Sequence, residues 1–235
     1  MRSASSRSAS RAITPTRADT VVIVFARAPL AGRVKTRLAP RLGAAAAARL
    51  HMRLVENALR TARDARCGPV ELHVTRPHRL FSGVEIRWQR GGDLGERMHH
   101  ALRDALRRHR RAIVIGADAP ALAPADLQRA ARLLQGDADV VLAPAEDGGF
   151  ALLGARRLSL RIFTGVQWGG AGVLSQTRRN LAEARLRYRL LRTVWDVDRP
   201  EDLARFRSRQ LSSTFRRGAR RSRDSRVRSD GSGRT

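Results

Sequence analysis

The sequence predicts a single α/β domain with a mostly parallel central sheet and helices on both faces. Short apolar, β-branched runs support this class, because they are typical of strands buried on both faces of a parallel sheet. The first of them is VVIVFA at residues 21–26. Stretches with apolar residues at helical spacing lie between the runs, so strand and helix alternate along residues 19–206. At 235 residues, the chain suffices for one domain with a sizeable core.

The predicted elements follow in order from this first strand. Leu42, Leu50 and Leu54 begin an apolar stripe that predicts an amphipathic helix over residues 43–64, and a second stripe begins at Leu94. We predict strands at residues 21–26, 70–75, 84–88, 112–116, 139–143, 150–154 and 187–194, and helices at 43–64, from 94, from 124 and at 173–184.

The formal net charge of +26 is spread unevenly. Residues 1–18 carry +4 and residues 207–235 carry +8, which leaves +14 for residues 19–206. We expect the two end segments to be disordered and basic, flanking one domain over 19–206. A basic domain favours anionic ligands such as nucleotides, phosphosugars or nucleic acid. A genome rich in Arg and Ala codons is the alternative source of this charge.

Several protein classes are excluded or disfavoured. Cys67 is the only cysteine, so an internal disulfide is excluded and a reducing compartment is compatible. No apolar run is as long as a membrane-spanning helix, and the first 18 residues lack the apolar centre of a secretory signal. No zinc-protease spacing and no G-x-S-x-G motif is present, which disfavours a hydrolase. We therefore expect a cytoplasmic protein without membrane contact.

A basic loop follows the first strand. It carries Arg27, Gly32, Arg33, Lys35 and Arg37, and Lys35 is the only lysine among the 47 basic residues counted as Lys or Arg. Glycine-containing basic loops at the carboxyl end of a first buried strand bind phosphorylated ligands in open α/β sheets. A solvated loop cation is the alternative interpretation of Lys35. Neither G-x-G-x-x-G nor a complete Walker loop is present.

Two glycines precede the helix that begins near Leu94. Gly91 and Gly92 would let a ligand approach the backbone donors of the helix N-terminus. Asp93 and Glu96 have the spacing of a capping box, so these acids favour helix capping over chemistry.

Two further acids follow predicted strands. Asp118 comes two residues after the strand at 112–116, where a carboxylate beside Lys35 could hold a divalent cation against phosphate oxygens. A turn aspartate is the alternative. Asp147 lies in an Asp-Gly pair between two strands, which predicts a hairpin turn at least as strongly as a ligand.

The C-terminal part of the domain holds more ambiguous residues. Trp168, among glycines, could stack on a base or sugar, or could be a structural tryptophan. Asp198 and Glu201 again have capping-box spacing, which favours a cap at Asp198. The role of Asp196 stays open.

The order of several motifs resembles that of a known family. The chain contains APLAGRVKTRLAP, GGDLGERM, GADAPAL, APAEDGGFALLG, a Trp at 168, VLSQT and WDVDRPEDL. Over roughly residues 20–206 this order resembles the bacterial radical-SAM/selenodomain-associated transferases. That family has a GT-A glycosyltransferase-like fold and is similar to guanylyltransferases of molybdenum-cofactor and phospholactate metabolism.

The resemblance implies a Rossmann-like GT-A domain that binds a nucleotide across the carboxyl ends of its strands. It implies that the loop over 27–37 holds phosphates, that Asp118 is the metal-binding acid and that Asp147 matches the second acidic motif. Mg²⁺ or Mn²⁺ is the implied cofactor. WGGAGV, which begins at Trp168, lacks the hydroxyl residues that follow this Trp in the family. If those residues contact the acceptor in the family, the acceptor chemistry of this chain differs.

We therefore predict a nucleotide-dependent transferase in which Lys35, Asp118 and Asp147 are catalytic. One reading is a glycosyltransferase that takes a nucleotide-sugar donor and a small-molecule acceptor. Another is a nucleotidyltransferase that acts on a phosphorylated small molecule. A third is a nucleic-acid-binding protein on a degenerate enzyme fold, supported by charge but by no aromatic-rich RNA-binding motif.

The two enzyme readings predict that non-specific contact with nucleic acid resides in the end segments, and tight binding by the remaining chain would favour the third reading. If the end segments carry it, deletion of residues 1–18 and 207–235 should remove most salt-sensitive binding to DNA or RNA, because that binding follows the number of phosphate contacts. Nucleotide binding by the trimmed chain should stay unchanged in calorimetry. Tight nucleic-acid binding by the trimmed chain would contradict this prediction.

Overall fold

The structure is a computed structural model that describes residues 19–79 and 81–208. The predicted N-terminal segment at 1–18 lies outside the described residues, as do residues 209–235 of the predicted tail over 207–235, whereas residues 207 and 208 are helical. No helix within the described residues is long and apolar enough to cross a membrane.

Every predicted strand and helix is present, with ends that shift mostly by one or two residues. The strands are β1 (Thr20–Ala26), β2 (Val70–Val74), β3 (Glu85–Trp88), β4 (Arg111–Gly116), β5 (Val140–Pro144), β6 (Phe150–Ala155) and β7 (Tyr188–Leu190). The helices are α1 (Ala39–Leu42), α2 (Ala44–Asp64), α3 (Leu94–Arg108), α4 (Pro124–Gln135), α5 (Val173–Glu183) and α6 (202–208), with a 3₁₀ helix at Leu160–Phe163.

The described strands form one sheet in the order β3-β2-β1-β4-β6-β5-β7. β6 pairs antiparallel with both β4 and β5, and the other pairings are parallel. The predicted fold class, an α/β domain with a mostly parallel sheet, is therefore confirmed.

Two apolar cores cover the two faces of the sheet. Val22 and Val24 of β1 enter the core beneath α2 and α4, while Val21 and Ile23 enter the core beneath α3 and α5. All seven residues of β1 are buried, as its continuous apolar run predicts. Full burial of a side chain such as Ile23 contributes roughly 1.5–3 kcal/mol. The helices on both faces hold the sheet and fix the positions of its strand ends.

The predicted strand over 187–194 is shorter than expected. β7 ends at Leu190, and Val194 makes an isolated bridge to Ala145 further along. The interruption lies opposite Pro144 at the end of β5, whose carbonyl accepts from the N–H of Val194 at 2.9 Å. Because proline has no backbone N–H, the ladder cannot continue regularly through this residue.

The predicted hairpin at Asp147 joins β5 and β6. The N–H of Gly148 donates to the carbonyl of Ala145 at 3.1 Å. Gly148 has a φ of +87°, and a Cβ there would lie 2.1 Å from the carbonyl oxygen of Ala171. Only glycine allows this turn and this close approach of two loops.

β1 lies between β2 and β4, so the direction of strand succession reverses at β1. Such a reversal leaves a crevice at the carboxyl ends of the two strands on either side of it. The loops after β1 and β4 meet at this crevice, where the sequence predicts a phosphate-binding loop and Asp118.

Candidate active site

A cleft of about 720 Å³ opens at the carboxyl ends of β1 and β4. Its walls include both strand ends, the loop after β1 and the first turn of α3. Among the described residues, the lysine and arginine side chains that line it are Arg27, Arg33, Lys35, Arg37 and Arg97. A concentration of cations over a sheet crevice suits a phosphate-bearing ligand.

Lys35 and Asp118 form an ion pair at the base of this cleft. The Nζ of Lys35 lies 2.9 Å from Oδ1 of Asp118 and donates to the carbonyl oxygen of Val197 at 2.6 Å. The Lys35 side chain is 4% exposed, whereas that of Asp118 is 48% exposed. Lys35 has a φ of +49°, a left-handed conformation that a non-glycine residue keeps only when its surroundings hold it there.

The pair determines the charge of Asp118. Burial alone would raise the pKa of this carboxyl, but the Lys35 ammonium and the adjacent His51 outweigh burial and hold the pKa well below its usual range. Asp118 is therefore a carboxylate throughout the physiological pH range. Its partly exposed side chain presents this negative charge to the cleft.

His51 is a site residue for which the sequence analysis gave no role. It is buried on α2, where its Nε2 donates to the carbonyl oxygen of Arg27 at 3.0 Å. Its Nδ1 lies 3.7 Å from Oδ1 of Asp118. The available signal was its position, because His51 occupies the same helix face as Leu54 and Ala58, where the pattern calls for an apolar residue.

The structure separates the predicted phosphate-binding residues into three groups. Arg27, Arg33 and Arg37 are exposed and line the cleft. Lys35 is enclosed and directed at Asp118 and Val197, so its cation already has protein partners. Gly32, with a φ of +76°, lies in the turn of the loop and is not among the lining residues.

The glycine pair before α3 is used mainly by the helix itself. The N–H of Gly92 donates to Glu96 Oε2 at 2.7 Å, and the N–H of Glu96 donates to Asp93 Oδ1 at 2.8 Å. The predicted cap by Asp93 is thus confirmed, whereas Glu96 accepts from Gly92 and not from the N–H of Asp93, which a capping box would require. Two backbone donors that would otherwise be free for a ligand are occupied, and the carbonyl of Gly91 accepts from Arg97 Nε at 3.0 Å. Only Gly92 of the two glycines lines the cleft.

A second space, the cavity, adjoins the cleft and has a volume of about 270 Å³. The cleft and the cavity share Asp118 and Trp168 in their walls. Asp147 and Asp196 also line the cavity, so the structure brings three aspartates of the analysed motifs to one space.

Trp168 forms part of the wall common to the cleft and the cavity. Its ring packs edge-on against Phe150, with 6.2 Å between centroids. It also lies directly over Gly95 of α3, where a Cβ would come within 2.6 Å of the ring. The half-buried ring therefore has the structural contacts that one interpretation predicted, and stacking on a ligand stays a prediction.

Asp147 and Asp196 influence each other across this cavity. Burial, followed by the negative charge of Asp147, raises the pKa of Asp196 to about 6, although Lys35 acts in the opposite direction. Asp147 itself is exposed, and its Oδ1 accepts from the N–H of Gly149 at 2.9 Å. The two carboxyl groups therefore repel each other when both are ionised.

The expected cap at Asp198 is wrong. The Asp198 carboxylate forms an ion pair with Arg37 of the loop after β1. Asp202 instead accepts from the N–H groups of Asp198 at 3.0 Å and Arg199 at 2.7 Å. Asp202, at the start of α6, takes the place expected for Glu201, because it accepts from the N–H of Asp198.

The carboxylates around the cavity suit a hard divalent cation. They offer oxygen ligands, and the repulsion between Asp147 and Asp196 is the kind that a bound cation relieves. Within residues 19–79 and 81–208, no group of three or more His, Cys, Asp or Glu side chains could hold a metal by itself. A cation here would therefore need substrate oxygens among its ligands, which is common for Mg²⁺.

The ion pair at the base of the cleft gives a first test. Lys35→Met should lower the free energy of unfolding at pH 7 by about 1–3 kcal/mol, because Asp118 loses its cation. The same change in an Asp118→Asn background should cost clearly less. Because the pKa of Asp118 is depressed, the difference in cost between the two backgrounds is present above about pH 4 and is lost as pH falls. Urea unfolding of the four proteins measures it, and equal costs in both backgrounds would contradict the pairing.

Asp196 gives a second test, with the opposite pH dependence. Its pKa is raised on folding, so stability declines as pH rises from about 4 to 6 and then stays level. Asp196→Asn should therefore raise stability at pH 7.5 by about 1 kcal/mol, or roughly 2–4 °C, and leave it unchanged at pH 4. The matched control is Asp137→Asn, a surface acid paired with Arg189. A gain that persists at pH 4 would count against the charge explanation.

The fold has counterparts among solved structures. A crystal structure from Desulfovibrio desulfuricans G20, described as a candidate nucleotide-diphospho-sugar transferase, is 30% identical, with a TM-score of 0.71. The match covers 77% of this chain and 82% of that one. No curated protein matches the sequence.

More distant structures share the fold. CMP:2-keto-3-deoxy-manno-octonic acid synthetase complexed with CTP is 13% identical, with a TM-score of 0.57. A nucleotidyl transferase from Methanothermobacter thermautotroptrophicus is 16% identical, with a TM-score of 0.56. Each match covers 83% of this chain and 99% of the other.

The family is established by a match over more than half of the chain. Residues 41–170 match DUF2064, described as an uncharacterized protein conserved in bacteria. Together with the 30% identical structure, this match supports the GT-A-like transferase fold that the motif order implied. The chain belongs to the DUF2064 family.

Proposed function

We propose that this protein is a glycosyltransferase that takes a nucleotide-diphosphate sugar as donor and transfers the sugar to a small acceptor. The observation that carries the proposal is the cationic cleft around the Lys35–Asp118 pair, at the crevice between β1 and β4. The 30% identical relative is itself described as a candidate nucleotide-diphospho-sugar transferase, which supports the same donor class. The resemblance to radical-SAM/selenodomain-associated transferases agrees with it, and a cytoplasmic location stays a prediction.

The arginines of the cleft would bind the donor diphosphate. Arg27, Arg33 and Arg37 lie on the loop after β1, and Arg97 lies on α3 across the cleft. Guanidinium groups form charge-assisted, often bidentate hydrogen bonds to phosphate oxygens. Charge that develops on the leaving diphosphate would be stabilised in place, with little rearrangement of the protein. In this arrangement Lys35 is a positioning residue, which holds Asp118 ionised and in place.

In sugar transfer, the cleft would hold the donor diphosphate and the cavity would hold the acceptor. An acceptor in the cavity would attack the anomeric carbon, so that a new bond forms between its oxygen or nitrogen and that carbon. The bond from the anomeric carbon to the diphosphate oxygen breaks, and its electron pair leaves with the nucleoside diphosphate in the cleft. The proton of the acceptor passes to Asp196, the carboxylate of the cavity that does not hold the cation in this proposal, and Asp196 acts as general base.

Asp118 and Asp147 would hold Mg²⁺ or Mn²⁺, with the donor phosphates as further ligands. When bound, such a cation supplies positive charge that polarises phosphoryl oxygens and stabilises the departing diphosphate. Asp118 is the principal contact in this proposal, because it lies two residues after β4 and its backbone carbonyl accepts from the N–H of Val197 at 2.9 Å. Asp147 is auxiliary, because it lies in the hairpin turn.

The proposal predicts a metal-dependent response to nucleotides. Saturating ADP, GDP, CDP or UDP, whichever matches the donor, should raise the melting temperature by roughly 5–10 °C when Mg²⁺ or Mn²⁺ is present. EDTA should remove most of that shift. Asp118→Asn should abolish the metal-dependent shift, and Asp147→Asn should reduce it partly.

The ligand-induced shift is the readout, because Asp118→Asn also loses the ion pair with Lys35 and changes the melting temperature of the free protein. Glu146→Gln is the matched control, since Glu146 neighbours Asp147 but pairs with Arg205 outside the cavity. A full metal-dependent shift in Asp118→Asn would refute the role of Asp118. A shift with nucleoside triphosphates and release of pyrophosphate would instead favour nucleotidyl transfer.

A further inference from the structure

The cavity differs sharply in charge from the cleft beside it. In a chain with 47 lysines and arginines, no lysine, arginine or histidine of the described residues lines this cavity. The adjoining cleft carries five such cations besides His51. The two spaces share Asp118 and Trp168, so the boundary between cationic and acidic surroundings lies within one continuous site.

The charged side chains on the cavity wall accept hydrogen bonds and do not donate them. They are Asp118, Asp147 and Asp196 among the described residues. An ionised carboxylate is an acceptor only, so its complement is a hydroxyl, an amine or an ammonium. A phosphate or carboxylate on the acceptor would meet acceptors of its own charge, with no cation to offset its loss of water.

A bound divalent cation would leave this conclusion unchanged. The cleft offers the donor diphosphate to the same cation, and Mg²⁺ fills its remaining positions with phosphate oxygens and water. Asp118 and Asp147 would together balance the two positive charges of that cation, while Asp196 and the diphosphate add further negative charge. An anionic acceptor would still face net negative surroundings.

The rest of the cavity is apolar. Phe25, Met98, Phe150, Leu153 and Val173 line it together with the ring of Trp168. At about 270 Å³ it exceeds the cavities of about 150 Å³ that hold benzene, so a single substituted ring or a short branched chain fits. The apolar walls therefore favour a ligand with a compact apolar part, and the carboxylates favour a hydroxyl, an amine or an ammonium on that ligand.

We infer that this cavity receives a small acceptor with an apolar body and a nucleophilic hydroxyl or amine, and without a phosphate or carboxylate group. The inference rests on the proposed sugar transfer for the identity of the ligand as acceptor. It also separates the two reactions that the sequence left open, because the phosphorylated acceptor of the second reaction does not match the cavity.

Four probes that share one ring test the inference: benzyl alcohol, benzylamine, benzoate and benzyl phosphate. Excess pyrophosphate is added to occupy the cationic cleft, and binding is followed by the indole NMR signal of Trp168, assigned with Trp168→Phe. Benzyl alcohol and benzylamine should bind about tenfold or more tightly than the two anions, because only they complement the carboxylates. No nucleotide is present, so the result is independent of whether the chain binds a nucleoside diphosphate.

Charge-neutral variants identify the source of the preference. In Asp147→Asn/Asp196→Asn, benzylamine should bind more weakly and benzoate more tightly, so that the preference falls to about threefold or less. Glu146→Gln should keep the full preference, because Glu146 lies outside the cavity wall. Benzoate or benzyl phosphate binding as tightly as benzylamine would overturn the inference, and so would binding of none of the four probes.

Discussion

The ion pair between Lys35 and Asp118 is the contact on which the arrangement of this site depends. It joins the loop after β1 to the loop after β4, and the bond from Lys35 to the carbonyl of Val197 adds the segment before α6. Val197 in turn donates its N–H to the carbonyl of Asp118 at 2.9 Å. Three loops that are far apart in sequence are thereby held at one point. The cleft and the cavity open on either side of that point.

The fold was predictable because its signals are local. The continuous apolar run of β1 indicated a strand buried on both faces, and the stripe from Leu50 to Ala62 indicated the helix that covers one of them. Asp93 and Glu96 marked the start of α3 through short-range capping chemistry that depends on three residues of spacing. Such short-range patterns determine the local secondary structure directly. The order of the motifs supplied the remaining topology by resemblance.

The site was predictable only in position. The crevice at the ends of β1 and β4 follows from the alternation of strands, and Lys35 and Asp118 were expected to be near it. The direct ion pair between them was not foreseen, and neither was the bond from Lys35 to the carbonyl of Val197, which lies 162 residues away. No local sequence pattern reports such long-range contacts. Asp198 was misread for the same reason, because its partner Arg37 lies 161 residues away. The division of the site into cationic and acidic spaces appears only when both walls are folded.

The enclosure of Lys35 also bears on how this sequence changes over time. Arginine supplies every other basic side chain outside histidine, which indicates a strong pressure toward arginine in this chain. An ammonium places all its donors on one nitrogen, whereas a guanidinium spreads five N–H groups over a rigid plane. At 4% exposure, beside one carboxylate and one carbonyl, that plane would leave donors without acceptors. A change from lysine to arginine is therefore unfavourable at this position, although arginine occupies the other 46 lysine or arginine positions. At Lys35 the shape of the enclosed site outweighs the bias toward arginine.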